Sequence, residues 1–294
     1  MDTNMFSHCQ NLAPERVASL ALGGFDGLHL GHRALIEALG PGGALLAIEN
    51  SHMDLTPGCV RNRFSPVPVI LLSLDRVCNL TPEAFVAFLK EQFPALKQLV
   101  VGYDFRFGCQ RSGSAADLAQ LFEGSCTIVE QVCLAGEPVH ATAIRHTIRE
   151  GNLIHAAKLL GRPYLIEGGV IRGQGLGMRR LYPTLNLEVR RFLIPAEGVY
   201  ATFSEIEGVS YPSVSFIGHR VSTDGSFAVE THLLSPHKPP QQTEQVALWF
   251  EKRLRPNRRF DNLELLKTQI EADIANAKTH LETKEPPCSP PSKC

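Results

Sequence analysis

The sequence of 294 residues lacks the features of several specialised classes of protein. Its 29 lysines and arginines nearly balance 30 aspartates and glutamates, so no basic surplus is available to neutralise a nucleic-acid backbone. No apolar stretch approaches the roughly 20 residues of a membrane-spanning helix. The N-terminal residues also lack the charged segment and apolar run of a signal peptide. We therefore expect a cytoplasmic protein that binds neither nucleic acid nor membrane.

The eight cysteines lack a pattern as well. No two of them form a CxxC pair, so their spacing predicts no structural zinc site. A chain that is 44% hydrophobic and of this length needs no disulfides to stay folded. We expect scattered, mostly buried free thiols. The cysteines are Cys9, Cys59, Cys78, Cys109, Cys126, Cys133, Cys288 and Cys294.

Short apolar segments alternate with helical segments in the first half of the chain. Helices are predicted to begin near Gly31 and directly after Thr81, which is expected to be the N-cap, with Pro82 as the first helical residue. Such alternation is typical of a parallel sheet with helical crossovers, which binds ligands beyond the carboxyl ends of its strands. The predicted strands are Val17–Leu22, Ala44–Ile48, Val67–Leu74 and Leu99–Gly102.

The character of the sequence changes near Arg162. Glycines cluster in GGVIRGQGLG, and alternating segments such as GVYATFSEI predict an antiparallel barrel or sandwich. We therefore predict one domain over residues 1–161, a second over 162–283 and, from composition, a disordered tail over 284–294. A helix is expected over Asp261–Ala277 with Asp261 as its N-cap. Its apolar stripe would consist of Leu263, Leu266, Ile270, Ile274 and Ala277.

Four glycines and two histidines crowd the segment Gly23–His32 (GGFDGLHLGH), directly after the first predicted strand. Glycine lets the backbone turn tightly and approach a ligand closely. A helix beginning near Gly31 would aim its first N–H groups and its positive dipole end at that ligand. His29 and His32 are three residues apart, so both imidazoles can face it too. Such fixed donors stabilise the charge that builds on a phosphate during nucleotidyl transfer.

The plainer alternative is that the two histidines are turn residues or metal ligands. An HxGH spacing alone is weak, but its place between a buried strand and a helix favours nucleotidyl transfer. The segment resembles the HxGH nucleotidyltransferase superfamily. The longer string LGGFDGLHLGH resembles the FAD synthetase module of prokaryotic bifunctional riboflavin kinase/FMN adenylyltransferases.

Two further segments are similar to the same family. VGYDFRFGCQRSG (Val101–Gly113) resembles its GxDFRFGxxRxG motif, and ATAIRHTIREGNLIHAAKLLGRPY (Ala141–Tyr164) resembles its SSTxIRxxLxxG…A…LLGRPY run. The motifs stand in the family's order over nearly the whole chain. The resemblance implies an α/β Rossmann-like nucleotidyltransferase domain, a parallel sheet with flanking helices. An antiparallel riboflavin-kinase-like β-barrel with a C-terminal helix would follow it.

The resemblance implies that the first domain transfers AMP from ATP to FMN, giving FAD and pyrophosphate, with Mg²⁺. His29 and His32 would contact the ATP phosphates. Arg145, with Thr142 nearby, would hold the β- and γ-phosphates, because a guanidinium fork grips phosphate oxygens in pairs. A surface salt bridge is the alternative for Arg145. The ATP pocket would be shaped by Gly23, Phe25, Asp26 and Gly31.

The sequence departs from the family pattern around the expected flavin site. The resemblance assigns flavin contacts to Asp104 and Phe105, but aromatic residues there could equally fill a core beside a loop. IENSHMDL (residues 48–55) stands where the family has TFxPHP. His140 and Ala141 replace the two serines of SSTxIR, so two hydroxyls are missing. These departures concern affinity and the flavin pocket more than the reaction.

In the second domain, PTLN (Pro183–Asn186) and ETHLL (Glu230–Leu234) resemble the kinase motifs GFPTAN and EVHLLDF. The resemblance implies that Thr184 and Asn186 hold the Mg²⁺ of Mg-ATP and that Gly177 lies in the ATP site. Glu230 would take the proton of the ribityl hydroxyl of riboflavin. Hard oxygen ligands suit Mg²⁺, and a carboxylate suits a proton acceptor. The alternative for Glu230 is an exposed carboxylate on a strand.

Departures are heavier in this half. Leu181 stands where the family has a glycine, and FIGHRVS (residues 216–222) replaces NIGxxPT. SPHKPPQQTEQ (residues 235–245) replaces an acidic, glycine-containing flap. A side chain at position 181 would block any ligand contact that needs close backbone approach. The kinase-like domain can therefore be active or retained as a scaffold.

Three hypotheses follow: a bifunctional enzyme making FMN and then FAD, a monofunctional FAD synthetase with a structural barrel, or a flavin- or nucleotide-binding sensor without turnover. The set His29, His32 and Arg145 disfavours the sensor, because binding alone does not need it. Transferases that act on pantetheine phosphate or nicotinamide mononucleotide share HxGH but would not carry GYDFRFG or the second domain. The sequence predicts no oligomeric state, substrate channelling or metal preference.

Overall fold

The computed structural model describes residues 7–8, 13–172, 182–222, 224–235 and 243–287. The chain divides into two compact units, residues 1–141 and 142–294. None of the described helices combines the length and apolar character needed to cross a membrane.

The described part of the first unit holds ten strands and three complete α-helices. The helices are α1 (Leu30–Glu37), α2 (Pro82–Gln92) and α3 (Ala115–Leu121), and α4 (Ala141–Arg149) begins at its last residue. The strands are β1 (Ser7–His8), β2 (Ser19–Gly23), β3 (Gly43–Glu49), β4 (Val69–Ser73), β5 (Gln98–Gly102), β6 (Arg106–Phe107), β7 (Gly113–Ser114), β8 (Ser125–Val129), β9 (Cys133–Leu134) and β10 (Glu137–Pro138).

Six of these strands form one sheet in the order β1-β4-β3-β2-β5-β8. Five are parallel, and the edge strand β1 pairs antiparallel with β4. Neighbouring residues of β2 alternate between two cores: Leu20 and Leu22 pack with α2 and α3, whereas Ala21 packs with α1. Helices therefore cover both faces of the sheet, because successive strand side chains point to opposite faces. This confirms the predicted Rossmann-like architecture.

The second unit is a closed six-stranded antiparallel barrel with helices. Its strand order is β11-β12-β15-β14-β13-β16, and β16 pairs with β11 to close it. The predicted barrel is confirmed. The elements are α5 (Leu153–Leu160), β11 (Tyr164–Ile171), β12 (Leu185–Val189), β13 (Gly198–Ile206), β14 (Val209–His219), β15 (Phe227–Leu233), β16 (Gln245–Pro256) and α6 (Leu263–Leu281).

The predicted C-terminal helix exists, but two of its details were wrong. The N-cap is Asn262 instead of Asp261: its side chain accepts a hydrogen bond from the backbone N–H of Leu265. Leu263 is 46% exposed, whereas the acidic residue Asp273 is buried. A partner on β16, Arg255, explains that burial, because its guanidinium binds both carboxylate oxygens. Residues 288–294 of the expected tail lie outside the described residues.

The expectation of mostly buried free thiols was wrong for the described cysteines. Cys59 is disulfide-bonded. Cys78, Cys109 and Cys126 are half-buried free thiols, and Cys133 is exposed. Burial raises the pKa of the Cys126 thiol, which makes it less reactive near neutral pH.

Candidate functional sites

The sheet order of the first unit points to one ligand-binding edge. From β2 the chain builds outward through β3 and β4, then returns to add β5 and β8 on the other side of β2. The order reverses between β2 and β5, and open α/β sheets bind ligands outside the carboxyl ends of strands at such a point. Two segments that the sequence singled out leave the sheet there: Gly23–His32 after β2 and Tyr103–Phe105 after β5.

The loop after β2 has an unusual backbone. Phe25, Gly27 and Leu28 have φ angles of 49°, 86° and 39°. Only the glycine adopts such angles without strain, and each of the other two costs about 1–3 kcal/mol. Both large side chains are buried, Phe25 at 0% exposure and Leu28 at 2%. Packing and hydrogen bonds around the loop must therefore hold it in place.

Three buried polar residues hold the loop: Asp26, Thr56 and Arg61. The Asp26 carboxylate accepts hydrogen bonds from the backbone N–H groups of Asp54, Leu55 and Thr56 at 2.9–3.3 Å. The Thr56 hydroxyl accepts one from the Gly27 N–H at 2.7 Å. Asp26, predicted to shape the ATP pocket, thus ties the loop to the IENSHMDL segment. Its role toward ATP stays a prediction.

Arg61 completes this support. It is fully buried, and its Nε donates to the Phe25 carbonyl oxygen at 3.2 Å. One Nη donates to the Glu49 carboxylate at 2.7 Å and to the Gly58 carbonyl at 3.1 Å. A buried guanidinium needs such partners, because an unpaired buried charge is strongly unfavourable. The sequence reasoning missed Arg61, since no motif or spacing marks it.

His29 and His32 lie together at the start of α1. His29 is the N-cap, and its Nδ1 accepts a hydrogen bond from the His32 backbone N–H at 3.4 Å. The two rings stack with centroids 3.6 Å apart, and the Phe25 ring lies 5.2 Å from that of His32. The predicted placement of both imidazoles at one spot is therefore seen in the structure.

Gly31 lies between the two histidines for a steric reason. A Cβ at this position would lie 3.1 Å from the His29 ring and 3.3 Å from the Val139 carbonyl oxygen. A larger residue would push the His29 ring aside. Gly23 ends β2, where a Cβ would meet only ordinary contacts with the Phe25 ring. The predicted roles of both glycines toward ATP remain predictions.

The two candidate flavin contacts differ in their surroundings. Asp104 is exposed, whereas Phe105 is half-buried against the core and stacks on Phe107 with centroids 5.8 Å apart. A cluster that the sequence did not indicate lies beside them: the Gln131 amide is 2.9 Å from the Tyr103 hydroxyl and 3.1 Å from His140 Nε2. Loss of hydration raises the pKa of the Tyr103 phenol, and the Asp104 charge adds to this.

Thr142 and Arg145 lie on α4. Thr142 is exposed and Arg145 is half-buried. The two are three residues apart on the helix, so both can face one ligand. The chain division places both residues in the second unit, and their predicted pyrophosphate contacts remain predictions.

The barrel brings Asn186 and Glu230 together. They are directly opposite in the register of β12 and β15, with Thr184 just before β12. All three line a cavity of about 220 Å³. Gly177, Leu181 and the stretch 236–242 lie outside the described residues, so the structure places none of them.

Arg220, which the sequence analysis did not single out, connects this pair. Its Nη2 donates to the Asn186 side-chain oxygen at 2.8 Å, and its Nε donates to Glu230 Oε1 at 2.9 Å. Nη1 donates to the Ser226 hydroxyl at 2.7 Å. The Arg220 and Glu230 side chains are 18% and 23% exposed. The sequence marked Arg220 only as a basic residue in the altered segment FIGHRVS.

Residues of β16, α6 and the segment between them also line the cavity. Arg255 binds both oxygens of Asp273 at 2.8–3.0 Å, and Gln269 donates to the same carboxylate at 2.8 Å. Arg258 lies over the Phe260 ring, 4.7 Å from its centroid. Leu266 and Ile270 of α6 supply apolar surface. The cavity lining thus combines polar groups, among them Asn186 and Glu230, with apolar and aromatic surface from Phe260, Leu266 and Ile270, a combination that suits a ring ligand with a polar tail.

Comparison with known proteins supports the family resemblance of both halves of the chain. A model of the FAD synthetase family matches residues 69–143, and a model of the riboflavin kinase family matches residues 160–281. The bifunctional riboflavin kinase/FMN adenylyltransferase of Pseudomonas fluorescens is 32% identical over 91% of this chain and 94% of its own length. The chain belongs to that family.

Other relatives of this bifunctional family agree. The enzyme of the same name from Escherichia coli K12 is 30% identical over 95% of this chain and 97% of its own. The one from Listeria monocytogenes is 29% identical over 86% and 89%. A solved structure titled macrolide-efflux protein from Streptococcus pneumoniae is 26% identical, with a TM-score of 0.78 over 92% of this chain and 97% of that one.

Proposed function

We propose that the chain makes FAD from riboflavin in two ATP-dependent steps, with adenylyl transfer assigned to residues 1–161 and riboflavin phosphorylation to residues 162–283. Family membership supports both steps, and all the curated relatives named above carry both activities in their names. The observation that carries the first step is the stacked pair His29 and His32 at the start of α1, at the switch point of the sheet.

In the proposed adenylyl transfer, an oxygen of the FMN phosphate attacks the α-phosphorus of ATP. The new P–O bond forms as the bond to the β-phosphate oxygen breaks, and pyrophosphate leaves. His29, His32 and the first N–H groups of α1 would hold the phosphate as charge builds on it. Because a phosphate oxygen is already ionised, no protein nucleophile or base is needed. Arg145 and Thr142 would hold the leaving pyrophosphate.

In the proposed kinase step, the terminal hydroxyl of the ribityl chain attacks the γ-phosphorus of a second ATP. The bond to the bridging oxygen breaks, ADP leaves, and the hydroxyl proton passes to Glu230. The pairing of Glu230 with Asn186 across β15 and β12 is the observation that supports this step. The FMN formed is the substrate of the first domain.

The residues of the barrel site fit Mg²⁺. The described residues contain no cluster of three or more histidines, cysteines, aspartates or glutamates that could hold an ion unaided. Thr184 and Asn186 offer hydroxyl and amide oxygens on one wall of the cavity. In kinases Mg²⁺ usually takes one or two protein ligands and completes its shell with phosphates and water. When bound there, the ion would neutralise charge on the transferred phosphoryl group.

A pair of variants tests the assignment of the two steps. His32→Ala should lower FAD formation from FMN by about 10²–10³-fold, the usual cost of a lost charge-stabilising donor. It should leave FMN formation from riboflavin unchanged. Glu230→Gln should instead lower FMN formation from riboflavin and leave FAD formation from FMN unchanged. Flavin chromatography after incubation with Mg-ATP measures both rates.

His146→Ala is the matched control, since this surface histidine pairs only weakly with Glu150 at 3.2 Å. It should change neither rate. If His32→Ala left FAD formation from FMN intact, the adenylyl-transfer assignment would be lost.

A further inference from the structure

We propose that Arg220 is a phosphate-binding residue of the kinase site and that its guanidinium covers Glu230 and Asn186 until ATP arrives. On arrival of Mg-ATP, its hydrogen bonds pass from these two residues to the terminal phosphate. This inference rests on the proposed kinase activity and extends it to a residue of the altered segment FIGHRVS. Arg220 would then act directly on the transferred group and, by leaving, make Glu230 available as proton acceptor.

The hydrogen bonds of Arg220 motivate the proposal. Its guanidinium takes the Asn186 oxygen, which is predicted to bind the metal, and Glu230 Oε1. One cation thus occupies both groups on which the kinase step depends. A metal ion at Asn186 and a guanidinium 2.8 Å from the same oxygen would repel each other strongly. Arg220 must therefore withdraw before the metal and substrate engage this end of the cavity.

A new anionic partner is needed when Arg220 withdraws, because a partly buried guanidinium without one is costly. The terminal phosphate of ATP supplies such a partner at this site. Phosphate and carboxylate present the same paired oxygens, and the planar fork of arginine matches both. The exchange therefore gives the Arg220 guanidinium a new anionic partner and frees the Glu230 carboxylate.

The position of Arg220 suits this movement. It directly follows β14, in the connection to β15, and is held there by hydrogen bonds between its backbone and Ser226 and Gly225. Its Nη1 also binds the Ser226 hydroxyl. Arg255, by contrast, binds both oxygens of the buried Asp273, which has no proposed role in the reaction. Of these two arginines in the cavity wall, Arg220 is therefore the one bound to reacting groups.

The first test measures kinase turnover in the full chain. Arg220→Gln should lower kcat/KM for Mg-ATP in riboflavin phosphorylation by about 10²-fold, as expected for a lost phosphate contact. Arg220→Lys should recover part of this, since lysine keeps the charge but loses the fork. FAD formation from FMN in the same preparation should be unchanged. Arg190→Gln is the matched control, because the Arg190 side chain is 77% exposed and pairs with Glu188 at the end of β12, away from the reacting groups.

The second test needs no turnover. Mn²⁺ binding without nucleotide, followed by electron paramagnetic resonance, should become about ten-fold tighter in Arg220→Gln, because a neighbouring positive charge is gone. The double variant Arg220→Gln/Glu230→Gln should not show this tighter Mn²⁺ binding. Binding of ATP with Mn²⁺ should become weaker in Arg220→Gln. A purely structural role would instead weaken both kinds of binding together.

The proposal is overturned if Arg220→Gln retains wild-type kinase kcat/KM, or if it fails to tighten Mn²⁺ binding without nucleotide. Wild-type protein that phosphorylates no riboflavin would overturn the kinase assignment itself. In that case tighter Mn²⁺ binding by Arg220→Gln would still support the covering role of Arg220, and unchanged Mn²⁺ binding would remove it.

Discussion

Arg61 shows how a single residue outside every motif can determine a site. Its guanidinium binds the Phe25 carbonyl oxygen and so fixes a loop that contains two non-glycine residues at positive φ. The strain in that loop, about 1–3 kcal/mol for each such residue, must be offset by contacts of this kind. The position of His29 and His32 thus depends on an arginine about 30 residues further along the chain.

Tyr200 is the residue from which a pH dependence of stability follows. Burial raises the pKa of its phenol to about 12, with the nearby Arg253 acting in the opposite direction. Its hydroxyl donates to the Ala196 carbonyl oxygen, which requires the protonated form. An unfolded tyrosine has a pKa of about 10, so folded and unfolded states release this proton at different pH values.

We predict that the second unit loses stability between pH 10 and pH 12. Below pH 10 both states keep the proton and the Tyr200 contribution is constant. Above it the unfolded state ionises first, so the free energy of unfolding falls by up to about 2.7 kcal/mol over two pKa units. Fluorescence of the single tryptophan, Trp249 on β16, reports this unfolding.

Tyr200→Phe is the control for this prediction. It lacks the ionising group, so its stability should fall less steeply than that of the wild type over the same pH range. The difference between the two chains isolates Tyr200 from the other four tyrosines. Parallel stability curves above pH 10 would contradict the raised pKa.

At the scale of elements, the barrel strands carry a hydroxyl cluster in their interior. Thr202 and Ser204 of β13, Ser213 and Ser215 of β14 and Thr231 of β15 are at most 1% exposed. Their hydroxyl oxygens lie 2.7–3.0 Å apart in a connected network. Fully satisfied buried networks fix one arrangement of strands, because a missing member leaves its neighbours unpaired.

We predict that Ser213→Ala lowers the free energy of unfolding by about 2 kcal/mol. Ser213 bonds to the Thr202 and Ser204 hydroxyls at 2.7 and 2.8 Å, and its loss leaves buried polar atoms short of a partner. Ser210→Ala on the same strand is the matched control. The Ser210 hydroxyl is buried and has no hydrogen-bond partner among the described residues, so its removal should cost nothing or stabilise.

Denaturant unfolding followed by Trp249 fluorescence compares the two variants. Equal stability of Ser213→Ala and Ser210→Ala would show that the network does not contribute.

The elements themselves were largely predictable from the sequence. Each predicted strand of the first domain overlaps an observed one, and Thr81 caps α2 as expected by accepting from the Ala84 N–H at 3.2 Å. Local pattern suffices there, because apolar runs and caps are properties of neighbouring residues. The burial of Asp273 was not predictable, since its partner Arg255 is 18 residues away and on another element.

Whether a site residue could be predicted also depends on whether its contacts are local or distant in the sequence. The closeness of His29 and His32 follows from a spacing of three at a helix start. The resemblance assigned Asn186 and Glu230 to the kinase site, but their pairing was not predicted, because the register of β12 on β15 is a long-range property. Arg220 and Arg61 were missed for the same reason: both act through residues distant in the sequence.

At the scale of the whole molecule, the sequence predicted two parts, and the chain divides into two compact units between residues 141 and 142. The predicted functional boundary at residue 161 stays a prediction. Packing of α5 against β11 and β16 accounts for the earlier division, since it joins this helix to the barrel. The family models leave residues 144–159 between them.

The central claim is that one chain converts riboflavin to FMN and FMN to FAD. The most direct test incubates purified protein with Mg-ATP and either riboflavin or FMN and separates the flavins by chromatography. We expect FAD from both substrates, with FMN as an intermediate from riboflavin. FAD from FMN alone would leave the barrel without its proposed kinase activity, and no product from either flavin would contradict the account.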